Sequence, residues 1–268
     1  MSERLASGKL LLDSPAEAVV RLRISNPERR NALDHEILDA LAETLPRLDR
    51  GIETRCLLIT GAPPVFSAGY DIASIPSETF ERDAEALVAH PFHAAMEALS
   101  AHPWPTVAAI NGHCIGGGLE LAVTCDLRVC AAGAELGMPP VKLGLVYSHT
   151  GLRKFLETIG LARTKELFLT GRNFGAARAE QIGLVHEVVA DEQLDAVAVE
   201  LAAEIAANAP LSMRGNKSAI DLLAAAPVLN AQQEAGLVAL RESCFASEDF
   251  REGIQAFAEK RKPEWKGR

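Results

Sequence analysis

Two segments of this chain combine glycine, bare backbone and a carboxylate in a way that could hold and move charge. The first, VFSAGYDIASI (65–75), leaves an apolar run through Ser67-Ala68-Gly69, which carry almost no side chain, and then offers Tyr70 and Asp71. A turn with so little bulk lets a ligand lie directly against backbone N–H groups. The second, AINGHCIGGGLELAV (109–123), is read as a buried strand joined to a helix through Gly112 and the run Gly116-Gly117-Gly118, with Glu120 in the first helical turn. A helix N-terminus presents unpaired N–H groups and a partial positive charge, so it can hold a developing oxyanion, with Gly117 as the natural donor. Glu120 follows three residues on, which sets a carboxylate close to whatever that amide holds. Each segment also has a plainer reading, as an ordinary glycine turn or as a first-turn acid that complements the helix dipole. Two such exits aimed at one point would form an oxyanion hole, each donor being worth about 3 to 4 kcal/mol.

The surrounding elements must deliver both segments to one place. AVVRLRIS (18–25) alternates apolar and charged residues and predicts a strand with one wet face. A helix is expected from about His35 to Arg50, capped by Asn31 or Asp34. RCLLIT (55–60), PTVAAIN (105–111) and DLRVCAA (126–132) are short apolar runs of the kind covered on both faces of a sheet. A mainly helical segment is expected over about 79–101, and ELGMPPVKLGL (135–145) as strand and loop. Apolar residues at helical spacing predict helices over 151–170, 191–207, 211–225, 230–245 and 249–261. Strands alternating with helices up to about residue 150, and helices thereafter, imply a layered α/β core with crossover connections and a helical appendage.

At 268 residues and 48% hydrophobic content, the chain can bury a large core as one large domain or two small ones. A net charge of −9 argues against extended contact with nucleic acid or an anionic membrane. The start, MSERLASGKL, is polar, and no apolar run nears the ~20 residues that span a bilayer, so the expected compartment is the cytoplasm. Five cysteines without C-x-x-C spacing fit buried, reduced thiols. HEILD at 35 and HEVVA at 186 each lack the second histidine of a zinc helix, so no metal is expected. Ser148-His149 lacks a G-x-S-x-G elbow, which argues against a serine hydrolase, and His149 instead caps or begins a helix. Asp126, between helix and strand, reads as a structural acid, and no P-loop or G-x-G-x-x-G suggests a nucleotide cofactor. The tail FAEKRKPEWKGR is the one local basic patch, either a solvated end or a site for an anion.

FSAGYDI, then INGHCIGGGLELAVTCDLRVCAAGAELGMPPVKLG, then REGIQAFAEKRKP together resemble the crotonase, or enoyl-CoA hydratase/isomerase, superfamily from about residue 18 to the C-terminus. The resemblance implies a crotonase-like (ClpP/crotonase) α/β fold of repeated ββα units, here residues 1–200. A helical C-terminal region, 201–268, would pack trimers, often paired as hexamers. It implies an acyl-CoA thioester substrate, with coenzyme A as part of the substrate and no separate cofactor. The oxyanion-hole amides map to Tyr70 and Gly117, with Gly116 beside them. Ala68, Asp71 and Ile72 fall where relatives contact the adenine and pantetheine of CoA, and Arg29 or Arg30 adds a phosphate contact. Phe257 and Lys260 match positions that reach a neighbouring subunit's CoA, which gives the basic tail a purpose.

Glu120 matches the first of the two hydratase glutamates, but where those enzymes read Gly-x-Pro-Glu this chain reads Gly137-Met138-Pro139-Pro140. Water addition needs one group to activate water and one to deliver a proton, so the loss of a carboxylate at Pro140 counts against efficient hydration, and it also removes the usual base of many enoyl-CoA isomerases. Tyr147 and its flanks resemble the methylmalonyl-CoA decarboxylase branch, although Tyr70 stands for a histidine there and Pro139 for a threonine. Decarboxylation forms the enolate without a base; Tyr147 would orient the carboxylate, and Glu120 or water would return the proton. Decarboxylation, hydration or isomerisation with one glutamate, and a non-catalytic CoA-binding scaffold all remain open at this point.

Overall fold

The computed structural model describes residues 3–48, 52–71, 88–225 and 230–268, with the side chains of 88, 89, 237, 241, 244, 245, 257 and 258 outside the description. Ile72, the Phe257 side chain and the start of the helix expected from residue 79 therefore lie outside the described residues.

The strands, in chain order, are β1 (Glu3–Leu5), β2 (Leu10–Ala16), β3 (Val19–Ile24), β4 (Cys56–Gly61), β5 (Val65–Ser67), β6 (Thr106–Ile110), β7 (His113–Ile115), β8 (Leu127–Ala131), β9 (Glu135–Gly137), β10 (Asn173–Gly175) and β11 (Glu187–Val189). They form two sheets, one ordered β1-β2-β3-β4-β6-β8-β11 and a smaller one ordered β10-β9-β7-β5. In the large sheet β3, β4, β6, β8 and β11 run parallel, and the first three strands form an antiparallel meander. Every residue of β4 and β6 is buried, as their unbroken apolar runs require, and the helix Leu194–Ala206 packs across β3, β4, β6 and β8. Each such Leu, Ile or Val contributes roughly 1.5–3 kcal/mol on burial.

The connections explain how a second sheet arises. From β4, β6 and β8 the chain turns a tight corner into β5, β7 and β9 respectively, and after each short strand the next described element is helical. This is the ββα repeat. The corners pack backbone against backbone: a Cβ on Gly112 would sit 2.0 Å from the Pro64 carbonyl oxygen, and one on Gly61 2.3 Å from that of Phe66. Asn31 braces the first corner, its Nδ2 donating to the carbonyls of Ala62 (2.7 Å) and Val65 (2.6 Å). Asp34, not Asn31, caps the helix α1 (His35–Thr44) by accepting from the Ile37 amide. That helix stops short of the expected Arg50 because Pro46, which has no N–H, turns its end into a 3₁₀ segment, Leu45–Arg47.

Three further helices frame the site: α2 (His93–Ser100), α3 (Gly117–Thr124) and α4 (His149–Thr170), the last interrupted at Gly160 by a φ of 71°. Helices Pro210–Ala225, Ala231–Ala246 and Glu248–Glu259 complete the chain. Cys56, Cys114, Cys125 and Cys130 are free and buried, and burial pushes the Cys56, Cys125 and Cys130 thiols up to about 12, so they stay protonated. Asp126 is structural, accepting from the Thr106 amide (2.7 Å) and hydroxyl (2.9 Å) and from Lys217 (2.5 Å).

Candidate active site

Strands β5, β7 and β9 run parallel, so the chain leaves all three at the same end of the small sheet. What emerges there is the Ser67–Asp71 turn, the Gly116–Glu120 helix start and the Met138–Pro140 segment. The glycine run follows β7, a strand that sequence reading took for part of a loop between Gly112 and the helix. Its three residues are too few for periodicity to register.

The first two exits touch. A Cβ on Gly69 would lie 2.8 Å from the Ile115 carbonyl oxygen and 3.2 Å from the Gly117 nitrogen, so only glycine fits, and its φ of 94° also favours glycine. Gly118 is as tightly placed against Ser67, at 2.6 Å from its Cβ. On its other side the turn is clamped to Leu33, which donates to the Gly69 carbonyl (2.7 Å) and accepts from the Asp71 amide (3.1 Å). A parallel bridge of that form turns the intervening Tyr70 N–H away from Leu33. Neither the Tyr70 amide nor the Gly117 amide at the start of α3 donates to another group among the described residues. Two unclaimed donors on touching backbones, one at a helix N-terminus, are suited to one anionic oxygen.

Beside them lies a buried chain of hydroxyls and one carboxylate. Glu120 is 4% exposed, and its Oε2 accepts a 2.5 Å hydrogen bond from the Tyr147 hydroxyl. The Tyr70 hydroxyl is 3.2 Å from the Tyr147 hydroxyl. Burial raises the Glu120 carboxyl above its ordinary range, opposed by the Tyr147 hydrogen bond and by the charges of Lys154 and His93. Both phenols are also pushed up, by desolvation first. The ring of Tyr70 stands edge-on to Phe92 (centroids 4.7 Å apart) and over Gly117, where a Cβ would come within 2.6 Å of the Tyr70 Cε1. Tyr147 leans on Phe168, with centroids 5.5 Å apart.

Tyr147 immediately precedes α4, whose N-cap is Ser148: its hydroxyl accepts from the Gly151 amide (3.2 Å) and from Thr150, while His149 opens the helix. Gly151 is a residue that sequence reading missed. A Cβ there would meet Tyr147 Cε1 at 2.6 Å and Glu120 Oε2 at 2.7 Å, so the short contact between those two groups depends on it. A glycine inside the first turn of a helix was the available signal. The role expected of Tyr147, donating to a substrate carboxylate, meets a competitor, because its single proton points at Glu120.

The remaining expected site residues are dispersed. Gly116 is the N-cap of α3 and ties the site to the third exit, its amide donating to the Gly137 carbonyl (2.9 Å). Pro139 precedes, and the buried Pro140 begins, a short 3₁₀ helix, Pro140–Leu143. The Ala68 amide donates to the Arg30 carbonyl (3.0 Å), which brings the exposed Arg29-Arg30 pair next to the turn; Asp71 is buried. Lys260 is exposed just past the last helix and takes no part in these hydrogen bonds. Among the described residues no group of three or more His, Cys, Asp or Glu is placed to hold a metal ion, and no single helix is long and apolar enough to cross a membrane.

Residues 15–268 match the family model for enoyl-CoA hydratase/isomerase. The chain is 34% identical over 266 residues to the human mitochondrial enoyl-CoA hydratase domain-containing protein 2, covering 96% of this chain and 88% of that protein. It is 31% identical over 265 residues to a mevalonyl-coenzyme A hydratase of Aspergillus fumigatus, covering 96% of this chain and 94% of that one. Its backbone superposes on the crystal structure of an enoyl-CoA hydratase from Bacillus anthracis with a TM-score of 0.89 at 32% identity, covering 97% of this chain and all of that one. By sequence over nearly its whole length and by crotonase fold, the chain belongs to the enoyl-CoA hydratase/isomerase family.

Proposed function

We propose that the protein acts on an acyl-CoA thioester by forming an enolate, with the thioester oxygen held by the amides of Tyr70 and Gly117 and with Glu120 as the one carboxylate that moves a proton. The observation that carries this reading is Glu120 itself: buried, hydrogen-bonded to Tyr147, and in the first turn of the helix whose Gly117 amide is unclaimed. Burial raises such a carboxyl above its ordinary value, the direction that suits an acid–base group. With Pro140 at the position of the second hydratase glutamate, the chemistry supported best is one that needs a single carboxylate, the shift of a double bond in an enoyl-CoA by removing and returning one proton. CoA would be bound through the turn at Ala68–Ile72, the Arg29-Arg30 pair, Lys260 and Phe257. The exposed Ile220, Leu223, Val238, Phe250 and Ile254 on the last helices support self-association of the chain, as a homotrimer or a dimer of trimers.

The absence of a second carboxylate also favours a second reading, decarboxylation of a malonyl-type CoA, in which neutral Glu120 returns the final proton. Separate incubations with a 3-enoyl-CoA, crotonyl-CoA and methylmalonyl-CoA, followed by mass and by absorbance of the conjugated thioester, test both. Conjugation of the 3-enoyl-CoA is expected, and its loss in Glu120→Gln. Release of propionyl-CoA would move the assignment to decarboxylation, and a gain of water on crotonyl-CoA to hydration. CoA binding with no turnover of any of the three would overturn the catalytic reading in favour of a scaffold.

A further inference from the structure

The family reading uses the main chain of Tyr70 and ignores its ring, yet the ring ends in the hydrogen-bonded series Tyr70–Tyr147–Glu120. We propose that the Tyr70 hydroxyl is a second proton-transfer group of this site, standing in for the carboxylate that Pro140 replaces and exchanging protons with Glu120 through Tyr147. The inference rests on the enolate reading above. Three observations carry it. The two hydroxyls and the carboxylate are within hydrogen-bonding range in sequence, at 3.2 and 2.5 Å. The Tyr70 ring crosses directly over Gly117, whose amide is a proposed oxyanion donor, so the phenol rises beside the place a thioester would occupy. The geometry is also built, because glycine at 117 and at 151 is what leaves room for the two tyrosine rings, and Phe92 and Phe168 support them.

Proton counting gives the mechanism. Each phenol has one hydrogen. When Glu120 is ionised, Tyr147 donates to it and Tyr70 donates to Tyr147. When Glu120 is protonated the order reverses: the carboxyl donates to Tyr147, Tyr147 donates to Tyr70, and the Tyr70 hydrogen is free to face the ligand. As the enolate carbon forms its new C–H bond, the Tyr70 O–H bond breaks. Tyr70 takes the Tyr147 proton and Tyr147 takes the Glu120 proton. One proton leaves the carboxyl, one reaches carbon, and both phenols end neutral; the reverse sequence removes a proton from carbon. Burial, which keeps both phenols protonated, suits them to relay rather than to store charge. Lys154 and His93 are the other charged groups that bear on Glu120.

The test is exchange of the α-hydrogens of butyryl-CoA in D2O, read by mass, together with the dissociation constant of the same thioester and the dependence of exchange rate on deuterium fraction. Tyr70→Phe keeps the amide and the ring. It should slow exchange about 100-fold, within the range of a lost acid–base group, while affinity changes less than twofold. Tyr147→Phe should behave alike, and the double variant should lose no more than either single one, because both break one chain. The wild type should show a curved dependence on deuterium fraction, and Tyr70→Phe a linear one, a difference that mere packing would not produce. Wild-type exchange in Tyr70→Phe with loss in Glu120→Gln overturns the relay and leaves the enolate reading standing. No exchange by the wild type overturns both.

Discussion

The two sheets of this protein are built on opposite principles. In the large sheet, β4 and β6 are runs of fully buried side chains and hold the fold by apolar volume removed from water. In the small sheet, β5, β7 and β9 are three residues each, and what matters at their exits is volume left out, at Gly69, Gly117, Gly118 and, facing them, Gly151. The proposed amide donors sit where neighbouring side chains are missing, because that lets backbone come close to a ligand. The large sheet should therefore tolerate loss of function-neutral stability, and the small one should lose function for the gain of a single methyl group.

The largest expected effect is on the first side of that contrast. Leu57, on β4 and fully buried, leaves a cavity when cut to alanine, and Leu57→Ala should cost roughly 2–5 kcal/mol in urea unfolding with little change in turnover per folded molecule. Turnover falling in step with stability would mean the sheets are not separable. Next is Gly69→Ala, which places a methyl group 2.8 Å from the Ile115 carbonyl oxygen and must spread the two exits. Loss of one amide donor predicts a fall in kcat of about 100- to 1,000-fold. A rate within a few-fold of the wild type would remove the case for converging amides.

Glu120 joins the two principles, since it is a carboxyl buried beside the proposed amide donors, and ionising it there costs stability. Its folded carboxyl is raised above the ordinary value of 4.5, with burial the leading cause. The folded state therefore binds the proton more tightly than the unfolded one, so this contribution to stability is full below 4.5 and is lost as pH rises through the folded value. Glu120→Gln escapes that loss. Its unfolding midpoint should gain on the wild type as pH rises, and parallel curves would show the carboxyl to be well solvated in the folded protein.

The same contrast decides what the sequence discloses. The runs at 18–25, 55–60, 105–111 and 126–132 are long enough for alternation or continuity to register, and each appears as a strand within about a residue of its expected ends. Three-residue strands carry no period, so β5 and β7 read as turn and loop, and β1, β10 and β11 went unread; the seven-residue β2 was missed too, because Asp13, Ser14 and Pro15 break its apolar run. The glycine exits were legible because glycine itself is the signal, and Glu120 because it opens a helix. Its bond to Tyr147 was not: the two are 27 residues apart with three elements between them, and nothing local links the carboxylate to the phenol. Gly151 was passed over for the same reason, since one of the two groups it makes room for, Glu120, belongs to another helix.

The smallest effect tests how sharp the boundary between the two sheets is. Asp34 caps α1 by accepting from the Ile37 amide (3.0 Å) and pairs with Lys9 (2.6 Å), so Asp34→Ala should cost about 1 kcal/mol of stability. Its neighbour Leu33, however, is the residue whose backbone clamps the Tyr70 turn. If Leu33 were positioned by the helix start, loosening the cap would swing the Tyr70 amide and cost activity as well. The opposing anchor is Asn31, fully buried, whose side chain grips the carbonyls of Ala62 and Val65 and accepts from the Asn26 amide (2.9 Å). That brace is independent of α1 and holds the segment against the corner from which β5 departs. Turnover in Asp34→Ala should therefore stay within twofold of the wild type while the unfolding midpoint drops. A tenfold fall in kcat at the same loss of stability would instead make the α1 cap part of the machinery that aims the amide.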